Sequence, residues 1–473
     1  MSVIPYSVPR TPTVLRSRDS FASLASASGR GSLAATRSVV NGRDDGKAFS
    51  IKDIRKFVQE LNNDSHFRLA SAVLSKVDMD TALRSRQIDI DSNLVFNVQL
   101  SDEGEPITNQ KASGRCWLFS ITNVIRIFVA RRYKLKEFQL SQSYLFFYDH
   151  LAKANWFLEQ MIDLADKPLS SRDVQFLMAG TESQDGGSYD MAVALIEEYG
   201  LVPQSVYPES INSSFSHHVD ALLASKLREY ALVLRKQLKI GSSASLKTAR
   251  QMKQEQMKQV FRILATCCGM PKTPTETFTW DFIDKHKVYQ RIVTTALDFV
   301  RLHTGAYDVS SAIVLVNDPR HPYDKTYSVD RLGNVVGAQR QVKYLNLTIE
   351  DMKQFATQVL QDKVPVWFGC DVEKASNMQK GIMDLHMSYV QDYPQGSSVN
   401  LSLLLQHEDA FGTTVEMSKK ERLETGDSSM THAMMFTGVH LDHDTNKPIK
   451  WKVENSWGPQ ACNHVCCDNV TED

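Results

Sequence analysis

The chain has 473 residues, 42% of them hydrophobic and 23% charged, with a formal net charge of −1. That length accommodates two or three domains, or one enzyme core with large insertions, and the near-zero charge gives the whole chain no pull toward nucleic acid or an anionic membrane. No apolar run approaches the roughly 20 residues of a membrane helix, and seven cysteines, four spread over residues 1–461 and three crowded into the last twelve, argue for a reducing, cytoplasmic-type compartment without a disulfide framework.

Residues 1–48 form a segment of their own. Positions 1–43 carry six arginines (Arg10, Arg16, Arg18, Arg30, Arg37, Arg43), many Ser and Ala, and one acid, Asp19. An Arg- and Ser-rich, acid-poor start has two readings: a mitochondrial transit segment or a disordered tail. Residues 49–90 place Ile51, Ile54, Phe57, Val58 and Leu61 at helical spacing, which predicts a helix wrapping the core. Asp102-Glu103-Gly104-Glu105-Pro106 then reads as a turn.

The segment Asn109-Gln110-Lys111-Ala112-Ser113-Gly114-Arg115-Cys116-Trp117 carries the chemistry. Trp117, Ile121, Val124, Ile125 and Phe128 fall at i, i+4, i+7, i+8 and i+11, one face of a helix, with Ser113-Gly114 as its cap and turn. Cys116 therefore lies in the first helical turn, where free amides and the positive end of the helix dipole favour a thiolate. Gln110, six residues earlier (116 − 110), can aim its amide above the sulfur and form an oxyanion hole with the Cys116 N–H.

Residues 141–200 read as further helices around Asp185-Gly186-Gly187-Ser188. From Lys226 to Arg262 a long helical stretch holds ten Lys/Arg against two Glu, Glu229 and Glu255. That is either a solvated helix face or a basic wall for a polyanionic partner such as nucleic acid. Beyond residue 310 the pattern turns to strands: Ser311–Val316, Val364–Phe368, and a hairpin formed by Met434–Leu441 and Ile449–Asn455. In the second hairpin strand, Trp451, Val453 and Asn455 share one face, with Lys450, Lys452 and Glu454 on the other. The expected organisation is α+β: a helical lobe over 49–215 with Cys116, a basic helical insertion over 216–305, and a β lobe over 306–473.

His432 stands at a strand start, 23 residues before Asn455 in Asn-Ser-Trp-Gly (455 − 432). A thiol, a histidine base, an asparagine to hold that base and an amide donor are the parts of a cysteine peptidase. Trp457 is expected to shield the His432–Asn455 bond and to border the substrate. Cys462, His464, Cys466 and Cys467 lack the paired Cys-x-x-Cys spacing of a metal site, so neither metal nor cofactor is expected. His440, Asp442, His443 and Asp444 read as hairpin-turn residues, and no phosphate loop or His-Glu-x-x-His helix occurs.

These segments resemble papain-like cysteine peptidases, and in particular the bleomycin hydrolase branch. The Cys-to-His distance in the papain group is roughly 130–150 residues; here it is 316 (432 − 116), which implies large insertions. Ser113 stands where secreted papains carry a cysteine. Asp185-Gly186-Gly187, Tyr199-Gly200-Leu201-Val202-Pro203, Tyr207-Pro208-Glu209-Ser210 and Met430–Met434 extend the likeness over about residues 50–458. The resemblance implies a two-lobed papain-like fold with helical and β-barrel lobes. It implies Cys116 as nucleophile, His432 as base, Asn455 as its orienter and Gln110 as oxyanion donor, with Gly186 and Gly187 along the substrate backbone. It implies a cytosolic aminopeptidase acting on peptides, bleomycin and homocysteine thiolactone, assembled as a homohexameric ring whose channel is lined by basic helices. It also implies further barrel strands and a C-terminal arm, whereas 18 residues follow Asn455 here (473 − 455). A shortened barrel with open strand edges is therefore expected, the mark of an alternative splice product or a misread frame. The rival expectations are a non-catalytic ring subunit, a nucleic-acid-binding protein acting through Lys226–Arg262, and an endopeptidase freed from the arm.

Overall fold

A computed structural model describes residues 49–473 apart from 84–89, 91–92, 102–103, 180–184, 239–242, 306, 373–375, 378–380, 385–409, 414–416, 460–463 and 469–473. The transit-or-tail segment 1–48 and Cys462 lie outside the described residues, as do the side chains of His464, Cys466 and Cys467. The chain divides into two compact units, residues 1–78 and 79–473. In the first, Ser50 starts the helix Ile51–Asn63 with a capping box shared with Asp53, and Asp64 caps the next helix, Ser65–Leu74. No residue of either helix is buried, so the apolar stripe of Ile51, Ile54, Phe57, Val58 and Leu61, expected to wrap the core, covers nothing within this unit.

The second unit is built on the helix Cys116–Tyr133. One apolar face was expected; instead the helix is buried on every side, polar Thr122, Asn123 and Arg126 included. A helix enclosed all round needs partners for its polar groups. Thr122 donates back to Leu118 O, Asn123 donates to Thr108 Oγ1, and Arg126 reaches Glu454 at 2.5 Å. The helices Gln142–Asp163 and Tyr189–Tyr199 pack against it; His217–Leu238 and Ser243–Cys268 pack in turn on Gln142–Asp163, and Ala296–His303 on Tyr189–Tyr199. They form one large aromatic-rich core in which Trp117, Tyr144, Phe146, Phe147, Phe157 and Phe299 are sealed from solvent.

Against the opposite side of the Cys116 helix lies a seven-stranded sheet. Its strands are β1 (Val98–Gln99), β7 (Val366–Cys370), β8 (Ser376–Asn377), β9 (Ile382–Asp384), β10 (His432–Leu441), β11 (Pro448–Glu454) and β12 (His464–Asp468). β2 (Phe278–Ile283) pairs with β3 (Tyr289–Thr294), and β4 (Leu315–Val316), β5 (Lys325–Ser328) and β6 (Lys343–Asn346) form a third small sheet. β10 is the spine. Its first half pairs with β7, its second half with β1, and its other edge with β11, all antiparallel. Phe368 stacks on Phe436 at 3.8 Å, and Met434, Val439, Trp451 and Val453 complete a separate core.

One expectation is corrected and one is extended here. Lys450 and Glu454, expected on the strand face opposite Trp451 and Val453, are both buried, Lys450 donating to Asn93 O at 2.5 Å and Glu454 pairing with Arg126. Both faces of β11 are covered, so alternation on this strand separates two packed environments rather than inside from outside. Nor is β11 left with an open edge, because β12 pairs with it antiparallel and then with β9 in parallel.

Candidate active site

Cys116 opens its helix behind Arg115, which makes no side-chain cap, and the amides of Cys116 and Trp117 hydrogen-bond toward the sulfur instead. Ser113 is not the expected cap. Its hydroxyl donates to Gln110 O at 2.6 Å and accepts from Arg115 Nε at 2.9 Å. Arg115 is fully buried, paired with Glu209 at 2.9 Å and lying over the rings of Phe119 and Phe146. The loop before the thiol is thus fixed by buried charge and stacking.

Besides Arg126–Glu454, three contacts near its start bind the Cys116 helix to the sheet. The backbone of Ala433 hydrogen-bonds toward the Cys116 sulfur. Ser120 Oγ donates to Met434 O at 2.6 Å, and Trp367 Nε1 donates to Trp117 O at 3.4 Å. The first residues of β10 therefore lie beside the thiol, and His432 is the residue immediately before Ala433.

His432 is 6% exposed, and its Nε2 lies 2.8 Å from Asn455 Oδ1. That oxygen also accepts the Ser456 N–H at 2.7 Å, which fixes it as the amide oxygen. His432 Nε2 must then be the donor, so Nδ1 is the basic nitrogen of the neutral ring. Trp457 stacks on the imidazole with centroids 4.7 Å apart.

Gln110 is buried and clamped at both ends. Its N–H donates to Ser456 O at 2.8 Å, and its side-chain oxygen accepts from Ser456 Oγ at 2.7 Å. One proton of Nε2 goes to Ser113 O at 2.7 Å, and an amide nitrogen carries two. Ser456, the middle of Asn-Ser-Trp-Gly, is a functional neighbour that the sequence reading passed over. It joins the base side of the site to the amide side.

The titration of the pair departs from expectation. Burial pushes the Cys116 thiol up; the backbone hydrogen bonds of Ala433, Trp117 and Cys116 oppose this, and the charge of Asp185 adds to the rise. The helix mouth alone does not yield a thiolate, because desolvation outweighs it. Burial likewise pulls His432 down to about 4, with Asn455 partly offsetting it. Each group taken alone resists being charged.

Gly186 and Gly187 are exposed, and a side chain on Gly186 would meet nothing. On Gly187 it would strike the Trp117 indole at 2.7 Å. Asp185, just before them, belongs to a buried cluster with His150 and Asp220 whose ligand-type atoms lie within 4.8 Å of one another. His150 Nδ1 donates to Phe146 O at 3.0 Å, and Nε2 lies 2.9 Å from Asp220 and 3.4 Å from Asp185. Burial pulls this ring down, but the two carboxylates outweigh it and hold it at about 10, an imidazolium. Of its members the sequence singled out only Asp185, as part of Asp185-Gly186-Gly187, with nothing to join it to His150 or Asp220.

The basic stretch is largely occupied. Lys226 pairs with Glu229, Arg250 and Lys253 with Glu159, Arg228 donates to Met178 O, and Arg235 to the carbonyls of Leu164 and Lys167. These five of the ten basic residues anchor helices, three of them through carboxylates and two through backbone carbonyls. No helix among the described residues is long and apolar enough to cross a membrane.

The sequence pattern of the peptidase C1-like family matches residues 48–465. The chain is 37% identical over 417 residues to "Cysteine proteinase 1, mitochondrial" of Saccharomyces cerevisiae, covering 88% of this chain and 82% of the yeast protein. It is 38% identical over 413 residues to human bleomycin hydrolase, covering 86% of each. Its structure matches the crystal structure of PepW from Lactobacillus rhamnosis with a TM-score of 0.81 and 35% identity, covering 90% of both chains.

Proposed function

The chain belongs to the peptidase C1-like family and is a cysteine peptidase; on that premise we propose an aminopeptidase of the bleomycin hydrolase type with Cys116 as nucleophile. The architecture proposed for it is papain-like and two-lobed: a helical lobe, a β-barrel lobe around β10, and large helical insertions, in keeping with the likeness to PepW. The observation that carries the residue roles is the His432–Asn455 bond, which leaves Nδ1 basic at the head of the strand whose Ala433 reaches the sulfur.

In the proposed reaction His432 Nδ1 takes the Cys116 proton as sulfur attacks the substrate carbonyl carbon. Neither group is charged before the other, so the transfer and the attack are coupled. The developing oxyanion accepts from the second Gln110 Nε2 proton and from the Cys116 N–H. Collapse breaks the C–N bond, and His432 returns the proton to the departing amine. The thioester is then hydrolysed by a water that gives its proton to His432, releasing the acid and the thiol. Asn455 and Trp457 keep the ring oriented and dry, and the open side of Gly186-Gly187 receives the extended substrate backbone.

Free-amine aminoacyl amides are compared with their N-acetylated forms. Turnover of the free-amine substrates alone is expected; equal turnover of blocked peptides indicates an endopeptidase, and no turnover with a salt-dependent gel shift indicates a nucleic-acid-binding subunit. A homohexameric ring is part of the proposal, tested by light scattering. The yeast relative's name and the Arg/Ser-rich start both support delivery to mitochondria alongside a cytoplasmic pool. Fractionation of the tagged chain with and without residues 1–48 tests this.

A further inference from the structure

The mechanism leaves unused the most heavily tied carboxylate near the thiol. Asp185 is 6% exposed. Its Oδ2 accepts the Gly114 N–H at 2.7 Å, two residues before Cys116, and the Ser216 hydroxyl at 2.5 Å. Its carbonyl accepts the Trp117 indole N–H at 2.5 Å. One residue thus bonds to the chain on both sides of the nucleophile, and it is covalently continuous with Gly186-Gly187.

The fit is tight on both sides of this junction. A Cβ on Gly114 would stand 2.9 Å from Asp185 Cβ, and one on Gly187 would run into Trp117. The helix Gln142–Asp163 backs it with two cations three residues apart, on one helical face. His150 faces Asp185 and Asp220; Lys153 Nζ donates to Gly186 O at 2.6 Å while paired with Asp149 at 2.6 Å. An unpaired carboxylate in this place would be costly to bury, and the imidazolium offsets that cost.

We propose that Asp185, seated on His150, is a positioning residue that locks the mouth of the Cys116 helix to the Gly186-Gly187 segment. The lock fixes the distance between the attacking sulfur and the substrate backbone. It makes this juncture a non-covalent clasp of backbone amide, indole and carboxylate. Its charge also opposes ionisation of the thiol, so the clasp trades some reactivity of the free thiol for geometry. This inference rests on the cysteine peptidase reading and adds a residue to it.

The test uses the full chain carrying Asp185→Ala, Asp185→Asn or Gly114→Ala. It reads kcat and KM on a free-amine aminoacyl amide, the pH profile of Cys116 alkylation by iodoacetamide, and the melting transition. Asp185→Ala is expected to lose about 100-fold in kcat/KM, since misplacement of reacting groups by about 1 Å costs that much. Asp185→Asn, which keeps an oxygen for the Gly114 N–H, is expected to recover most of this. It should also shift the alkylation midpoint to lower pH, an effect that a purely structural residue would not give. Gly114→Ala is expected to mimic Asp185→Ala without touching the charge. If Asp185→Ala does not fold, the Asp185→Asn midpoint and the Gly114→Ala turnover decide. Folded variants with kcat/KM within about threefold of wild type, together with an unmoved alkylation midpoint, overturn the proposal. A wild-type chain without turnover, with unreactive Cys116, contradicts the cysteine peptidase reading instead.

Discussion

His150 in the helical core and His432 at the start of the central strand β10 are both buried imidazoles, yet they are held in opposite protonation states. His150 sits between two carboxylates and stays charged up to about 10; His432 has a neutral amide for a partner and loses its proton by about 4. Burial is common to both, so the partner's charge decides. An anchor tolerates a permanent charge if it is matched, whereas a base must be free to gain and lose one. The same contrast runs through the two cores. The helical core is cross-tied by matched ions such as Lys153–Asp149 and Arg115–Glu209. Around His432 the partners are neutral: Asn455 bonds the ring, Trp457 stacks on it, and Ser456 and Gln110 tie in behind Asn455.

Exchanging the two histidines for neutral residues is the strongest way to sharpen this comparison. His432→Gln is expected to lower kcat by about 10³-fold or more with little change in melting temperature, because a general base of this kind supplies about 10²–10⁴-fold. His150→Gln should do the reverse. It strands buried Asp185 and half-buried Asp220 and costs roughly 3–5 kcal/mol of stability, read by denaturant titration. Equal effects of the two variants on turnover and on stability would break the contrast.

Stability against pH gives the next largest effect, and its sign differs between the two sites. His150 binds its proton more tightly folded than unfolded, so its contribution is complete below its ordinary value near 6.5 and is lost as pH rises toward 10. His432 binds its proton less tightly folded, so its penalty appears as pH falls from 6.5 toward 4 and is absent above. Each contributes a limb with a slope of about 1.4 kcal/mol per pH unit. Melting curves should show stability declining on both sides of near-neutral pH, with the alkaline limb flattened in His150→Gln. An unchanged alkaline limb in that variant would mean His150 is not a buried imidazolium. The smallest expected change is Ser456→Ala, which frees the Gln110 amide to rotate and costs about fivefold in kcat, roughly one neutral hydrogen bond. A larger loss in KM than in kcat would show that Ser456 serves substrate binding instead.

Much of the site was legible because its residues sit in contiguous, patterned segments. Cys116 at a helix start, His432 at a strand start and Asn455 after a strand all occupy the positions that their local patterns predicted. Helical periodicity found the Cys116 helix but not its burial on all sides, since periodicity reports one apolar face and not the polar partners waiting opposite the others. The alternation of β11 separated its two faces, but not what covers the second, where Arg126 and Asn93 supply partners for Glu454 and Lys450 from far away in the chain. His150–Asp185–Asp220 was invisible for the same reason: its members are 35 residues apart in each step (185 − 150, 220 − 185), and no spacing rule joins them. The helix dipole expected to favour a thiolate is opposed by burial of the sulfur, because a sequence shows where a dipole ends but not how dry that end is.

The central claim is that the Cys116 sulfur reacts only through the imidazole of His432. The direct measurement is adduct mapping by mass spectrometry after treatment with an epoxide inhibitor of cysteine peptidases, on the wild type and on folded His432→Gln. The account predicts one adduct per chain, on Cys116, formed in step with loss of turnover and strongly slowed in the variant. Turnover that survives full modification of Cys116, or equal labelling rates in the two proteins, would contradict it.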